Sequence, residues 1–143
     1  MVPLYAQDHD YSKYNVLAVD DIPLNLLLIQ KMLSRFNFKL RTAANGQQTL
    51  DMVAEQKPDL ILLDLMMPGI DGFEVIRRLR ANPDTQDIQI VILSALNSNE
   101  DVVKGFDVGA NDFIMKPIIM EKLLSCVVTQ LQLAEAKRAS QAK

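Results

Sequence analysis

Short runs of consecutive apolar residues alternate along the chain with longer segments in which apolar residues recur every three or four positions. The short runs are typical of strands buried on both faces, and the longer segments of helices that pack one face against a core. The pattern predicts five strands, at residues 15–19, 38–44, 59–64, 88–93 and 112–115. It also predicts five helices, at residues 22–36, after Asn45-Gly46, at 72–81, at 98–108 and from Ile119 onward.

This strict alternation of strands and helices predicts an α/β domain. Connections of this length require a parallel sheet, doubly wound, with helices on both faces and right-handed crossovers. Strand 38–44 is half polar, which is typical of a strand at the edge of the sheet. The first helix has two apolar stripes, one predicted to face the core (Ile22, Leu26, Ile29, Leu33, Phe36) and one nearer solvent (Leu24, Leu28, Met32). The helix at 72–81 is predicted to turn three arginines largely outward, Arg77, Arg78 and Arg80.

Length and composition are typical of one globular domain. The 143 residues have a net charge of -3 and a pI near 5.1, which gives no support for nucleic-acid binding. No apolar run approaches the roughly twenty residues that span a bilayer. The single cysteine, Cys126, excludes an internal disulfide and favours a reducing, cytoplasmic setting. We expect a flexible leader at 1–14, the folded domain at 15–133, and a helix extension or linker at 134–143.

The carboxyl ends of the predicted strands hold most of the candidate chemistry. Asp20 and Asp21 follow the first strand, Asp64 closes the third, Ser94 follows the fourth and Lys116 follows the fifth. Parallel strands open their carboxyl ends onto one edge of the sheet, where open α/β sheets bind ligands. Each residue alone has a simple structural explanation, such as a helix cap or a surface charge. Their coincidence at one edge indicates a functional site.

The residue types at this edge favour phosphoryl chemistry with a magnesium ion. Three neighbouring carboxylates repel one another unless a cation lies among them, and oxygen ligands without His or Cys suit Mg2+. Asp64, the most enclosed of the acids, can attack phosphorus as a nucleophile. The metal and Lys116 would neutralise phosphoryl oxygens, and the Ser94 hydroxyl could donate to another. The sequence has no GxxxxGK[ST] loop, which favours a phosphoryl group supplied by another molecule over ATP binding.

Taken together, these motifs resemble the receiver domain of two-component response regulators. The resemblance covers roughly residues 15–131 and rests on four segments, Val19-Asp20-Asp21, Leu63 to Gly72, Leu93-Ser94-Ala95 and Met115-Lys116-Pro117. It implies a flavodoxin-like strand order, 2-1-3-4-5. It also implies a non-enzymatic signalling switch, activated by phosphorylation in a phosphorelay.

The resemblance implies a role for each site residue. Asp64 would accept a phosphoryl group from the phosphohistidine of a sensor histidine kinase or a histidine phosphotransfer protein. Asp21, Asp64 and the backbone carbonyl of Met66 would ligate Mg2+, while Asp20 would act largely through water. Lys116 would contact the phosphoryl group, and the Lys116–Pro117 peptide bond would be cis.

The same resemblance extends to the output of the switch. Ser94 would provide the switch hydroxyl, and Phe113 the aromatic ring that swings inward when Ser94 moves. Phe113 stands where the family more usually has Tyr, so an output contact through a phenol oxygen is not expected. The partners would be the phosphodonor and a downstream protein or fused output domain. A homodimer is also compatible, whereas direct nucleic-acid or membrane binding by this chain is not expected.

Two other functions share part of this residue pattern. Haloacid-dehalogenase-like phosphatases also use an aspartyl nucleophile, magnesium, a Ser or Thr and a Lys. They have a second Asp two residues after the nucleophile, where this chain has Met66, and the chain has no residues for a cap domain. A degenerate receiver acting as a binding module without phosphorylation is the other alternative, although every chemical position is intact here.

Overall fold

The computed structural model describes residues 10–96 and 98–141. Its strands are β1 (Asn15–Val19), β2 (Lys39–Ala43), β3 (Leu60–Leu63), β4 (Gln89–Ser94) and β5 (Asp112–Met115). Its helices are α1 (Pro23–Met32), α2 (Gly46–Glu55), α3 (Gly72–Ala81), α4 (Asn99–Val108) and α5 (Met120–Gln141). Strands and helices alternate along the chain in the predicted order.

The five strands form one parallel sheet in the order β2-β1-β3-β4-β5, which confirms the predicted fold and strand order. Successive side chains of a strand point to opposite faces of the sheet, and helices cover both faces. The strands in the middle of the sheet are therefore buried on both sides. In β3, for example, Leu60 and Leu62 pack with α1 and α5, whereas Ile61 and Leu63 pack with residues of α2 and α3. The continuous apolar runs therefore correspond to a two-sided core.

Side-chain caps fix where three of the helices begin. Asn45, Asp71 and Ser98 each accept a hydrogen bond from a backbone N–H in the first turn of α2, α3 and α4. Ser98 followed three residues later by Asp101 is the sequence pattern of a capping box, and the Ser98 hydroxyl also donates to Asp101 Oδ2 at 2.6 Å. At the other end of α4, Gly109 adopts a positive φ of 119°, which favours glycine.

Two predictions about individual side chains are wrong. Ile22 is 50% exposed, because it precedes the first turn of α1 in an extended conformation and does not reach the core stripe. Arg80 is not directed into solvent like Arg77 and Arg78. Its guanidinium donates to the carbonyl oxygens of Gly109 (2.9 Å) and Ile88 (2.6 Å), and burial lowers its pKa. A long side chain can thus fold back to satisfy loop carbonyls that helical periodicity does not reveal.

The described part of the expected leader, residues 10–14, packs against the domain. Tyr11 and Tyr14 are buried in the same core as α1 and α5. The flexibility of the leader at 1–14 stays a prediction. The Tyr14 hydroxyl donates to Glu135 Oε2 at 2.8 Å. Residues 1–9 lie outside the described part of the chain.

The expected extension at 134–143 continues α5 as far as Gln141. Ala134 is buried, and Arg138 forms a close ion pair with Asp59 at the start of β3. The last turns of α5 therefore lie against the amino-terminal edge of the sheet. The domain boundaries at residues 15 and 133 stay predictions, and residues 142–143 lie outside the described part of the chain.

Cys126 is a packed side chain. It is buried in the core between the sheet and α5, and burial, with the nearby Asp112 carboxylate, raises the pKa of its thiol to about 12. A thiol with this pKa stays protonated at neutral pH and is a poor nucleophile. Across residues 10–96 and 98–141, the helices lack the combination of length and apolar character that crossing a membrane requires.

Candidate functional site

The carboxyl-terminal edge of the sheet brings the predicted site residues into one region. Asp20 directly follows β1 and Asp64 directly follows β3, and the Asp64 N–H donates to the Val19 carbonyl at 3.0 Å. Ser94 is the last residue of β4, and its carbonyl accepts from the Lys116 N–H at 2.8 Å. Backbone hydrogen bonds between neighbouring strand ends thus fix the relative positions of these side chains.

Three carboxylates form the acidic centre of the site. One carboxylate oxygen from each of Asp20, Asp21 and Asp64 lies within 4.8 Å of the others. Asp20 and Asp64 are buried, with 1% and 5% exposure, whereas Asp21 is exposed. This set of oxygen donors, open to solvent on the Asp21 side, fits a hard divalent cation such as Mg2+, which prefers carboxylate ligands and retains several waters.

Lys116 lies between the two buried carboxylates. Its ammonium nitrogen is 2.8 Å from Asp20 Oδ2 and 3.8 Å from Asp64 Oδ2. The pKa of Asp64 is raised, chiefly because burial disfavours its charged form. Lys116 opposes this rise and the charge of Asp20 adds to it. The Lys116–Pro117 peptide bond is cis, as predicted.

Asn25 is a residue of the site that the sequence analysis missed. From α1, its side-chain amide donates to Asp20 Oδ2 at 3.1 Å, while the Ile22 N–H donates to Asp20 Oδ1 at 2.9 Å. The available signal was an amide residue in the first turn of a leucine-rich helix, four positions after Asp21. Helical periodicity alone does not say that such a side chain reaches back to a strand end.

The loop after β3 holds Asp64 from its other side. The Met66 N–H donates to Asp64 Oδ1 at 3.3 Å, and the Met66 side chain is 57% exposed. A Cβ on Gly72 would lie 2.8 Å from the Asp64 carbonyl oxygen, so glycine is needed for the close approach of α3 to this strand end. The predicted metal contact of the Met66 carbonyl stays a prediction.

Ser94 and Phe113 lie on the neighbouring strands β4 and β5. The Ser94 side chain is completely buried, and its hydroxyl oxygen accepts from the Leu96 N–H at 3.2 Å. Phe113 is half-buried and is paired with Ile92, two residues before the Ser94–Met115 pair. A coupled movement of the two side chains stays a prediction.

An apolar groove of about 500 Å3 borders the acidic centre. One side of the groove is formed by Asn25, Leu28 and Met32 of α1. The other side is formed by Lys116 and the two residues after it, Pro117 and Ile118. The groove thus shares Asn25 and Lys116 with the site and continues it along α1.

Comparison with known proteins agrees with this geometry. The family model for the response regulator receiver domain matches residues 16–128. The response regulator PleD of Caulobacter vibrioides is 44% identical over 103 residues, which cover 72% of this chain and 23% of PleD. A probable cyclic di-GMP phosphodiesterase of Vibrio cholerae is 35% identical over 128 residues, which cover 90% of this chain and 29% of that protein.

A solved structure shows the same fold. The receiver domain of a signal transduction histidine kinase from Syntrophus aciditrophicus superposes with a TM-score of 0.77 at 31% identity, covering 83% of this chain and 90% of that one. The chain spans less than a third of the length of the two curated relatives above. The family match covers most of the chain, including every residue of the acidic centre and Lys116. The chain therefore belongs to the response regulator receiver domain family.

Proposed function

We propose that this receiver domain is a phosphorylation-dependent signalling switch in which Asp64 accepts a phosphoryl group from a phosphohistidine. The observation that supports this proposal best is the set of charged side chains around Asp64. Its buried carboxylate lies at the carboxyl end of a central strand, with Asp20, Asp21 and Lys116 around it. A nucleophile, a cation site and a fixed positive charge are the parts that phosphoryl transfer to a carboxylate needs.

The proposed transfer exchanges one bond to phosphorus for another. An oxygen of Asp64 forms the new O–P bond as the P–N bond of the phosphohistidine breaks, and the imidazole nitrogen keeps the bonding electrons and takes up a proton. Lys116 contacts a phosphoryl oxygen and offsets its negative charge. Asp21, Asp64 and the Met66 carbonyl would hold Mg2+, with Asp20 acting largely through water, and the metal would supply positive charge at the phosphoryl oxygens.

The proposed response to phosphorylation runs through β4 and β5. The Ser94 hydroxyl would turn toward the phosphoryl group and give up its contact with the Leu96 N–H. Phe113, on the neighbouring strand, would then move inward. Such a change alters the surface formed by α4 and β5, which is where a downstream protein, a fused output domain or a second copy of the chain could read the phosphorylated state.

The phosphodonor is proposed to be a sensor histidine kinase or a histidine phosphotransfer protein that docks on α1 and the apolar groove. This surface borders Asp64, so a partner seated there can bring its histidine to the site. Leu24, Leu27 and Leu28 are 61%, 48% and 45% exposed, which suits contact with a helix of a partner. Any enzymatic output would come from a downstream protein or from a fused output domain. The receiver itself is proposed to act as a switch without turnover.

Labelling with acetyl phosphate tests the proposal directly. In the presence of magnesium, the protein should gain one acid-stable, base-labile phosphoryl group, detected by intact mass. Asp64→Asn should abolish labelling, because it removes the nucleophile and nearly preserves the shape of the side chain. Asp107→Asn, a change at an exposed carboxylate on α4, is the matched control and should label like the wild type.

Two outcomes would contradict the proposal. Labelling of Asp64→Asn at the wild-type level would remove Asp64 as the acceptor. Sustained hydrolysis of many phosphate monoesters per protein molecule would instead indicate a phosphatase of the haloacid-dehalogenase type.

A further inference from the structure

The carboxylate of Asp20 is buried and depends on protein donors. It is 1% exposed, so water has little access to its oxygens. Oδ1 accepts from the Ile22 N–H, and Oδ2 accepts from two side chains, the Lys116 ammonium at 2.8 Å and the Asn25 amide at 3.1 Å. Removing the hydrogen-bond donors of a buried carboxylate strongly destabilises the folded protein. The pair of donors on Oδ2 therefore matters for the energy of the site.

Lys116 has a second task under the proposed function. Its ammonium is 1 Å closer to Asp20 Oδ2 than to Asp64 Oδ2, at 2.8 Å against 3.8 Å. A phosphoryl group on Asp64 carries more negative charge than the Asp20 carboxylate, so its oxygens draw the ammonium away from Asp20. This shift weakens or removes one of the two donors on Asp20 Oδ2.

Asn25 does not share this second task. Its amide is neutral, so it has no electrostatic reason to follow the phosphoryl group. It is half-buried at the start of α1, where the backbone of the helix holds it beside Asp20. Its hydrogen bond to Asp20 can persist when Lys116 moves.

We propose that Asn25 is a positioning residue for phosphoryl transfer, acting by keeping Asp20 hydrogen-bonded while Lys116 moves to the phosphoryl group. The inference rests on the proposed function of Asp64. Without Asn25, Lys116 would be the only side-chain donor to Asp20 among the residues that the structure describes, and it would be held there more strongly. Phosphorylation of Asp64 would then be slower, although Asn25 does not touch the phosphoryl group.

A double-mutant cycle tests this inference. Initial rates of labelling by acetyl phosphate are measured at saturating magnesium by intact mass, over minutes to a day so that slow variants give a rate. Asn25→Ala should slow labelling about tenfold, the effect of one lost hydrogen bond to a charged group. The matched control on the same helix, Gln30→Ala, changes an exposed amide and should leave the rate unchanged.

The second mutation of the cycle, at Lys116, distinguishes a positioning role of Asn25 from a merely structural one. In a Lys116→Met background, Asn25→Ala should slow labelling less than about twofold, because no ammonium remains to be released from Asp20. Asp20→Asn should suppress the effect of Asn25→Ala in the same way. If Asn25→Ala reduces the folded fraction in a melting curve, Asn25→Leu, of similar size and helix-favouring, replaces it in the cycle.

Two results would overturn the inference. One is a wild-type rate for Asn25→Ala, and the other is an equal factor of slowing with and without Lys116. Neither result would affect the assignment of Asp64, which depends only on the loss of labelling in Asp64→Asn. Labelling of Asp64→Asn would count against the proposed function itself.

Discussion

At the scale of single residues, the site combines two buried carboxylates with an exposed one. Asp20 and Asp64 share the Lys116 ammonium, whereas Asp21 faces solvent within 4.8 Å of both. Three carboxylates beside one ammonium leave excess negative charge, and the raised pKa of Asp64 shows that its charged form is disfavoured in the folded protein. A folded-state pKa above the ordinary value means that Asp64 lowers stability as the pH rises through that pKa. A divalent cation would relieve this cost at neutral pH.

Magnesium should therefore stabilise the protein through Asp21. At a concentration of Mg2+ about 100-fold above its dissociation constant, the stabilisation is about 2.7 kcal/mol, or roughly 5 to 10 °C in melting temperature for a domain of this size. Asp21→Ala should lose most of this shift, and Asp107→Ala, at an exposed acid on α4, should keep it. The measurement is thermal unfolding with and without MgCl2 at pH 7. The same shift in the wild type and Asp21→Ala would exclude Asp21 as a ligand.

At the scale of secondary-structure elements, α1 links the acidic centre to an exposed apolar surface. Its inner side chains, Ile29 and Leu33 at its carboxyl end, are buried in the core. Leu24 and Leu28 lie on the other stripe predicted from the sequence and are exposed. Leu28 also lines the apolar groove beside Lys116. A helix that begins next to Asp20 and exposes leucines toward solvent is well placed to contact a phosphodonor protein.

Leu24→Ser and Leu28→Ser should slow phosphotransfer from a protein donor without affecting a small donor. Removal of one apolar contact from a helix interface costs about 1 to 2 kcal/mol, or roughly 5- to 30-fold in rate at subsaturating donor. The donor is a histidine phosphotransfer protein or kinase that phosphorylates the wild type. Labelling by acetyl phosphate should be nearly unchanged, because a small molecule needs no docking surface. Val103→Ser, at a 57% exposed apolar residue of α4, is the control.

Equal slowing with both donors would mean that Leu24 and Leu28 support the fold of α1. Equal slowing of protein-dependent transfer by Val103→Ser would place the docking surface elsewhere.

The sequence predicted elements well because each depends on local patterns. Continuous apolar runs such as Leu60–Leu63 occur in strands covered on both sides, and Ser98 with Asp101 marks a helix start. Strand ends fixed by these runs then placed Asp64 and Lys116 at one edge. Two of the misses have a common cause. Arg80 and Asn25 are polar residues whose hydrogen-bond partners, Gly109 and Asp20, lie outside their helices, and helical periodicity does not encode such contacts.

At the scale of the whole molecule, one end of the sheet carries the candidate site and the other end is closed by packing. The carboxyl-terminal edge holds the charged side chains of the site, and its three carboxylates repel one another in the folded state. At the amino-terminal edge, residues 10–14 and the end of α5 close the core. Tyr11 packs edge-on against Phe36, with ring centroids 5.1 Å apart, and Tyr14 donates to Glu135. Tyr11, Tyr14 and Glu135 lie outside the family match at 16–128, so the family pattern did not predict these contacts.

Tyr14→Ala should therefore destabilise the protein without impairing its chemistry. Tyr14 is 7% exposed, and truncating a buried aromatic residue costs about 3 kcal/mol or more. Urea unfolding should show a lower midpoint with an unchanged slope, whereas Ser12→Ala, at an exposed residue of the same segment, should match the wild type. Labelling of Asp64 by acetyl phosphate, measured well below the urea midpoint, should keep its rate, because β1 separates Tyr14 from Asp20. An unchanged midpoint for Tyr14→Ala would mean that residues 10–14 behave as the flexible leader expected from their polarity, and that the ordered domain begins at Asn15.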